Sequence, residues 1–233
     1  MIRRLLVLLV LVGLAAIFGG LLCGFTPDDT LILTARYYAE ITARDIGAAN
    51  IFTAIIVTYR GLDTLGEVTV LFLTASIVGL VLERGRKQAT GPERTLPVVG
   101  ELLTTGTRLL VPLILLLGVY VFVNGHLTPG GGFQGGAILA SAILLLLLTD
   151  PLARFSHRLI AGVESISGLV FVGVGVLGIA LAGGFLDNRI LPTGTLGEMF
   201  SAGAIPVIYS FVGLKVGAEF STMLANLSET GEL

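Results

Sequence analysis

Arg60, Asp63 and Glu67 stand at the mouth of an apolar run that continues from Val68 to Leu82. On one helix Asp63 and Glu67 lie four residues apart and share a face, with Arg60 three residues before Asp63. Two carboxylates and one base in this pattern can pass a proton or hold a hydrated Na⁺. The same spacing also suits a structural ion pair between Arg60 and Asp63. Lys215 sits in a second apolar run, Val212-Gly213-Leu214-Lys215-Val216-Gly217, with Glu219 four residues on. A charge at the centre of a membrane helix costs about 2.5–3.5 kcal/mol on insertion scales, so one that is kept marks an ion pathway or a buried contact. Lys215 reads either as a proton relay or as a side chain reaching for the membrane surface. Lys before Glu is the weaker order for an i,i+4 pair, so a partner from another helix is expected. His126 completes the candidate ion path (Asp63, Glu67, Lys215, Glu219, His126), either as a proton-entry group or as a histidine of an interfacial loop.

These residues need helices that cross a bilayer. The chain is 54% hydrophobic and 13% charged over 233 residues, with a mean hydropathy of +0.95. Soluble domains carry about 25% charged residues, so the composition predicts an all-α polytopic membrane protein. A net charge of −2 argues against nucleic acid, which demands a basic surface. A single cysteine, Cys23, provides neither a disulfide nor an iron–sulfur site. No serine–histidine–acid set, metal-ligand cluster or nucleotide loop is evident, so neither cofactor, metal nor an enzymatic activity of the chain itself is expected.

A span takes about 20 mostly apolar residues. Six segments qualify: Leu5–Leu22, Val68–Leu82 beginning near Leu62 or Asp63, Leu109–Val123, Phe133–Leu148, Ala161–Phe185, and Phe200–Gly217 running on toward Leu224. The first follows Arg3 and Arg4 in the manner of a signal peptide, but it is long and lacks a clean cleavage site, so it reads as a retained span. Thr26–Asp45 reads as a polar, partly helical loop. Ile46–Tyr59 is apolar but short, a length that suits an interfacial, re-entrant or buried half-helix better than a full span. Six crossings put Arg3, Arg4, Arg84, Arg86, Lys87, Arg94, Arg154 and Arg158 on one side, as cytoplasmic loops require, with both termini there too. A seventh crossing would split them. Residues 1–82 form one membrane segment, 83–98 a charged linker (ERGRKQATGPER over 83–94), and 99–233 a four-helix domain.

Glycines punctuate the second half. Gly130, Gly131, Gly132, Gly135 and Gly136 join two spans, and Gly213 and Gly217 sit on the last. Gly132, Gly136 and Ala140 form a small-xxx-small stripe, as do Gly213 and Gly217, which predicts close helix packing. A broken helix lining a cavity is the sharper alternative. Glu164, near the start of the fifth span, reads as an interfacial residue or a helix-end charge, and Glu198 as a charge at the start of the last helix.

The segment from Asn50 through Glu67, with RGLDTLGE, resembles the C-terminal part of the large A subunit of Mrp-type Na⁺/H⁺ antiporters. It is equally similar to the small E-type subunit of membrane-bound hydrogenases. From Leu103 onward, GHLTPGGGFQGG and IPVIYSFVGLKVGAEF resemble the antiporter B subunit, the MnhB family. This chain joins both pieces through its charged linker, a departure from antiporters in which the first piece ends the A subunit. The resemblance implies an accessory subunit in a prokaryotic plasma membrane. Its implied partners are the other Mrp-type subunits (A, C, D, E, F and G types), the lipid bilayer, Na⁺ and H⁺. Asp63, Glu67 and Lys215 match ionisable positions of the family. It equally admits a place in an ion-pumping redox complex, or a scaffold that never touches the ion.

Overall fold

A computed structural model describes residues 2–25, 30–88, 100–150 and 156–230. Among them the fold is all-α, with eight helices and no strand. They fall into two compact units, Met1–Tyr37 and Tyr38–Leu233.

The first unit holds helix α1, Ile2–Cys23. Its side chains are apolar on every face and exposed within the chain, from Leu5 to Leu22. A helix that is hydrophobic all round belongs in lipid or in a large apolar core. Helix α2, Leu33–Asp45, extends from this unit into the next. The expected polar loop is therefore helical over its second half, and residues 26–29 lie outside the described residues. Tyr, Ala, Glu and Arg let an exposed polar segment hold this turn of backbone.

The second unit is built around α8, Ile205–Thr230, which packs against α4, α5, α6 and α7. Helix α3 is a short α turn, Ile51–Ala54, that widens into a π turn, Ile55–Tyr59. The amide of Arg60 reaches back five residues to the Ile55 carbonyl at 2.8 Å. Such wide turns recur at functional sites. The segment is too short to span, as its length implied.

Helix α4, Gly61–Gln88, begins where expected but runs past Leu82 into the charged linker. Glu, Arg, Lys and Gln are good helix formers, so loss of hydropathy does not end the helix there. Residues 89–99, including Arg94, lie outside the described residues. Helix α6 (Gly132–Thr149) matches its expected span, whereas α5 (Glu101–Val123) ends as expected but begins eight residues before Leu109.

Helix α7 occupies His157–Ala182. Ser156 caps it by accepting from the Leu159 amide at 3.3 Å, and Gly183, at φ 89°, ends it in the left-handed conformation that favours glycine. It therefore stops three residues short of Phe185. The last helix starts at Ile205, later than Phe200, because Ala202 and Gly203 take positive φ values of 65° and 59°. Pro206 then suits the first turn, where its missing amide proton is not needed. Among the described residues six helices are long and apolar enough to cross a membrane: Arg3–Cys23, Gly61–Arg84, Glu101–Val123, Gly132–Thr149, Arg158–Ala182 and Ile205–Ser228. The protein is a multi-pass membrane protein.

The glycine stripes fix the helix spacing. A Cβ on Gly136 would lie 2.7 Å from the Gly213 carbonyl oxygen, and one on Gly135 would lie 2.7 Å from that of Gly118. Helix α6 is thus wedged between α5 and α8 with backbones in near contact. A Cβ on Gly213 would stand 2.6 Å from the Phe122 ring, and one on Gly217 3.3 Å from the Gly136 oxygen. Gly132 faces Val212 the same way. Gly130 and Gly131 do more than pack: their φ values of 144° and 150° turn the chain into α6, a conformation side chains resist.

Candidate ion-handling site

The second unit carries two polar features on the seam between α4 and α8. The deeper is the pair Lys215 and Glu219. Lys215 Nζ lies 2.7 Å from Glu219 Oε1; the lysine side chain is 11% exposed and the glutamate 0%. The expected partner from another helix is therefore replaced by the residue one turn away. The i,i+4 order preference was measured on exposed helices. Here burial makes any unpaired charge costly and overrides it. Lys215 also stands 5.0 Å from the Phe72 ring centroid of α4, a cation–π contact. Gly168 of α7 leaves room for its stem: a Cβ there would touch Lys215 Cδ at 3.5 Å. The lysine sits mid-helix and does not reach for the membrane surface.

Glu164 acts on Glu219 electrostatically from α7. It lies two turns inside that helix and is half-buried, so it is no helix-end charge. The helix starts earlier than the apolar run, which carries Glu164 inward. Its place at the edge of that run hides the role in the sequence.

The shallower feature is a cavity of about 710 Å³ whose lining includes Asn50, Thr53, Glu67, Gln134 and Tyr209. Glu67 is exposed and is the one charged residue of that lining. Tyr209 of α8 is buried and lines the same cavity as Thr53 and Glu67. Asp63 does not join it. Asp63 pairs outward with Arg60 at 2.6 Å, both side chains more than half exposed. A pair this exposed is worth at most about 1 kcal/mol.

Glu67 faces Tyr209, and Phe72 faces Lys215, so α4 and α8 run in the same direction. Six residues separate Tyr209 from Lys215, or about 9 Å of helix. Val68 of α4 and Val212 of α8, both buried, occupy that interval. The cavity and the ion pair are two stations divided by an aliphatic seal.

His126 lies in the loop between α5 and α6 and is fully buried there. Its Nε2 lies 3.4 Å from the Glu198 carbonyl. Burial holds its pKa below the ordinary 6.5, against the carbonyls of Glu198, Val123 and Met199, which raise it. Its position follows from a clasp on the same loop. Asn50 donates from its backbone to the His126 carbonyl at 3.0 Å. Its side-chain amide donates to the Gly125 and Thr128 carbonyls, both at 2.9 Å. Its Oδ1 caps α3 through Phe52 N at 3.1 Å. Asn188, also buried, donates to the Ile46 and Ala202 carbonyls at 2.8 and 3.0 Å. Neither asparagine stands out in the sequence, where a loop asparagine is the commonest of turn residues.

Glu198 lies in a turn well before α8, so no helix dipole holds it; the positive-φ bend at Ala202 and Gly203 displaces the helix start. Asp187 accepts from Arg189 Nε at 2.9 Å, and that guanidinium holds its carboxyl below the usual range. Among the described residues no group of histidine, cysteine and carboxylate could hold a metal.

Helices long and apolar enough to cross a membrane, the last of them carrying a buried ion pair, define a multi-pass membrane protein. Residues 102–222 match the family model described as a domain related to the MnhB subunit of Na⁺/H⁺ antiporters. Residues 3–95 match the model for the E-type subunit of MBH. The chain belongs to the MnhB-related family, with an E-type segment ahead of the MnhB-like domain. A relative in Methanocaldococcus jannaschii, an uncharacterised protein, is 33% identical over 204 residues, 77% of each chain. A chain of the membrane-bound sulfane sulfur reductase, an archaeal respiratory membrane complex, is 38% identical with a TM-score of 0.81, over 97% of this chain and 98% of that one. The Mrp complex of Dietzia sp. DQ12-45-1b contains a chain 26% identical, TM-score 0.77, over 97% of this chain. This chain spans 26% of that longer one.

Proposed function

We propose that this protein is an accessory membrane subunit of a multisubunit Mrp-type cation/proton antiporter, which exchanges Na⁺ for H⁺. One observation carries the reading: Lys215 and Glu219 are paired at 2.7 Å in the most enclosed helix of a membrane protein. Such a pair is a poor stabilising device, since apolar replacements are often neutral or better, so its retention points to ion handling. In this reading Glu67 receives the ion from its cavity. Proton transfer to Glu219 releases Lys215, and Glu164 opposes the return of charge. Crossing the valine seal requires transient hydration, which partner subunits would time. In this reading the linker end of α4 and the start of α7 face the cytoplasm, which the basic residues Arg84 and Arg158 support.

A second reading has its own support. The sulfane sulfur reductase chain aligns end to end at 38% identity, which favours the same subunit in a redox-driven complex. Any electron transfer would then belong to partner subunits.

The test uses everted vesicles carrying the whole operon. Na⁺-dependent proton exchange is compared between wild type, Glu67→Gln, Glu219→Gln and Lys215→Ala, with assembly followed on native gels. Assembled complexes that lose exchange support an ion path; retained exchange in all three makes the subunit a scaffold. Exchange driven by an imposed pH gradient alone marks the antiporter, whereas a requirement for an electron donor marks the redox complex.

A further inference from the structure

Building on the ion-path reading of Glu67, we infer that Gln134 shares with Glu67 the cation received in their common cavity. One wall of the site then comes from the E-type segment and the other from the MnhB-like domain. Most polar groups of the lining are already engaged. Asn50 gives its amide to the Gly125 and Thr128 carbonyls and its oxygen to the Phe52 amide. Thr53 Oγ1 donates to the Gly125 carbonyl at 2.5 Å. Tyr209 is buried, its ring against Gly125 and Gly131. Glu67 and Gln134 are exposed, and among the described residues neither has a hydrogen-bond partner. These two side chains hold the oxygens open to a guest.

Gln134 stands in the first turn of α6, and its carboxamide folds back. A Cβ on Gly131 would lie 3.0 Å from Gln134 Oε1 and 3.1 Å from Tyr209 Cζ. The oxygen thus lies over the glycine, beside a ring of the cavity wall, in space that a side chain at 131 would take. Hard cations bind oxygen ligands, carboxylate, amide carbonyl and water among them. One carboxylate balances one positive charge. A divalent ion would keep an excess charge among the apolar residues of the lining, which is costly. The cavity, about 710 Å³, has room for many waters at roughly 10–15 Å³ each. The guest is therefore a monovalent cation, such as Na⁺, that keeps part of its water shell.

A glutamine at this position can also serve as half of a capping box, closing the helix start without touching an ion. Substitution separates the two roles. In everted vesicles carrying the whole operon, Gln134→Met, similar in length but without the carboxamide, should raise the apparent KM for Na⁺ about tenfold, as loss of a bond to a charged group implies. The maximal rate should hold. Gln134→Glu still caps but should make Ca²⁺ a competitive inhibitor, because two carboxylates balance a divalent ion. An unchanged KM in Gln134→Met, with Gln134→Glu indifferent to Ca²⁺, leaves Gln134 as a cap and overturns the proposal.

A second readout needs no transport and decides also where Gln134→Met fails to assemble. In a Cys23→Ser background, Gln134→Cys in the assembled complex is treated with a cationic (trimethylammonium) or an anionic (sulfonate) methanethiosulfonate, and labelling of this chain is read by mass. Faster reaction with the cationic reagent, a preference lost on adding Glu67→Gln, is the expected result. A preference indifferent to Glu67 overturns the shared site and leaves the role of Glu67 standing. Wild-type exchange by Glu67→Gln overturns the ion-path reading and the proposal with it. A thiol that neither reagent reaches means that a partner subunit fills the cavity, and this too overturns the proposal.

Discussion

Lys215 and Glu219 lie one turn apart on α8 and form a 2.7 Å ion pair in which the glutamate has no solvent exposure. The second carboxylate oxygen, Glu219 Oε2, has no hydrogen-bond donor among the described residues. The pair is thus compensated in charge but not saturated in hydrogen bonds. That combination separates stability from function.

Lys215→Ala leaves a buried carboxylate without its countercharge and should cost about 3–5 kcal/mol if Glu219 stays ionised. The double replacement Lys215→Met with Glu219→Leu removes both charges and should recover most of that stability. Exchange should be lost in both variants. Thermal unfolding of the detergent-purified chain, set beside vesicle exchange, checks this; an active double variant would remove the pair from the ion path.

Gly136→Ala places a methyl group 2.7 Å from the Gly213 oxygen and 2.8 Å from Val216 Cβ. Overpacking of this kind costs about 1–3 kcal/mol. Gly173→Ala on α7 meets nothing within 4 Å and should be neutral or slightly stabilising. The two melting temperatures, measured side by side, should move apart. Equal shifts would mean that the α6–α8 contact is looser than the glycines imply.

Asn50→Asp preserves the helix cap, since Asp caps as well as Asn. It loses the amide that donates to the Gly125 and Thr128 carbonyls and turns a carboxylate toward them. It should therefore destabilise more than Asn50→Ala, for which about 2 kcal/mol is expected from the cap and the lost bonds. Limited proteolysis near residues 124–130 would report the difference, and the reverse order would show that capping is the main role of Asn50.

His126 is held neutral by burial, with its pKa below 6.5. The unfolded chain binds the proton more readily, so stability rises with pH through this window. The contribution is complete above about pH 6.5 and is lost as pH falls from there toward the folded value. Hydrogen exchange at the Asn124–Thr128 amides should accelerate between about pH 7.5 and 5.5 beyond its intrinsic pH dependence. His126→Gln should flatten that excess; an unchanged excess in the variant would place the sensitivity elsewhere.

Much of the architecture is legible in the residues. Run length against bilayer thickness locates the six spans found among the described residues, because a helix rises a fixed distance per residue. The glycine stripes announce close packing, since only small residues let membrane helices approach. Ends are less legible. Helix α4 overruns its apolar run because charged residues sustain a helix, and α8 begins late because Ala202 and Gly203 bend the chain first.

By itself, then, the sequence determined a multi-pass membrane protein, its family, and which ionisable residues lie in or beside its apolar runs. Tertiary structure decided which of those residues meet. It paired Lys215 with Glu219, brought Glu164 of α7 to bear on them, turned Asp63 outward to Arg60, and left Glu67 alone in a cavity with Tyr209. It also buried His126 and tied Asn50 and Asn188 to carbonyls more than 70 residues away. Hydropathy and periodicity register what a residue prefers over one or two turns of its own helix. Desolvation and pairing depend on neighbours that only the packed helices supply.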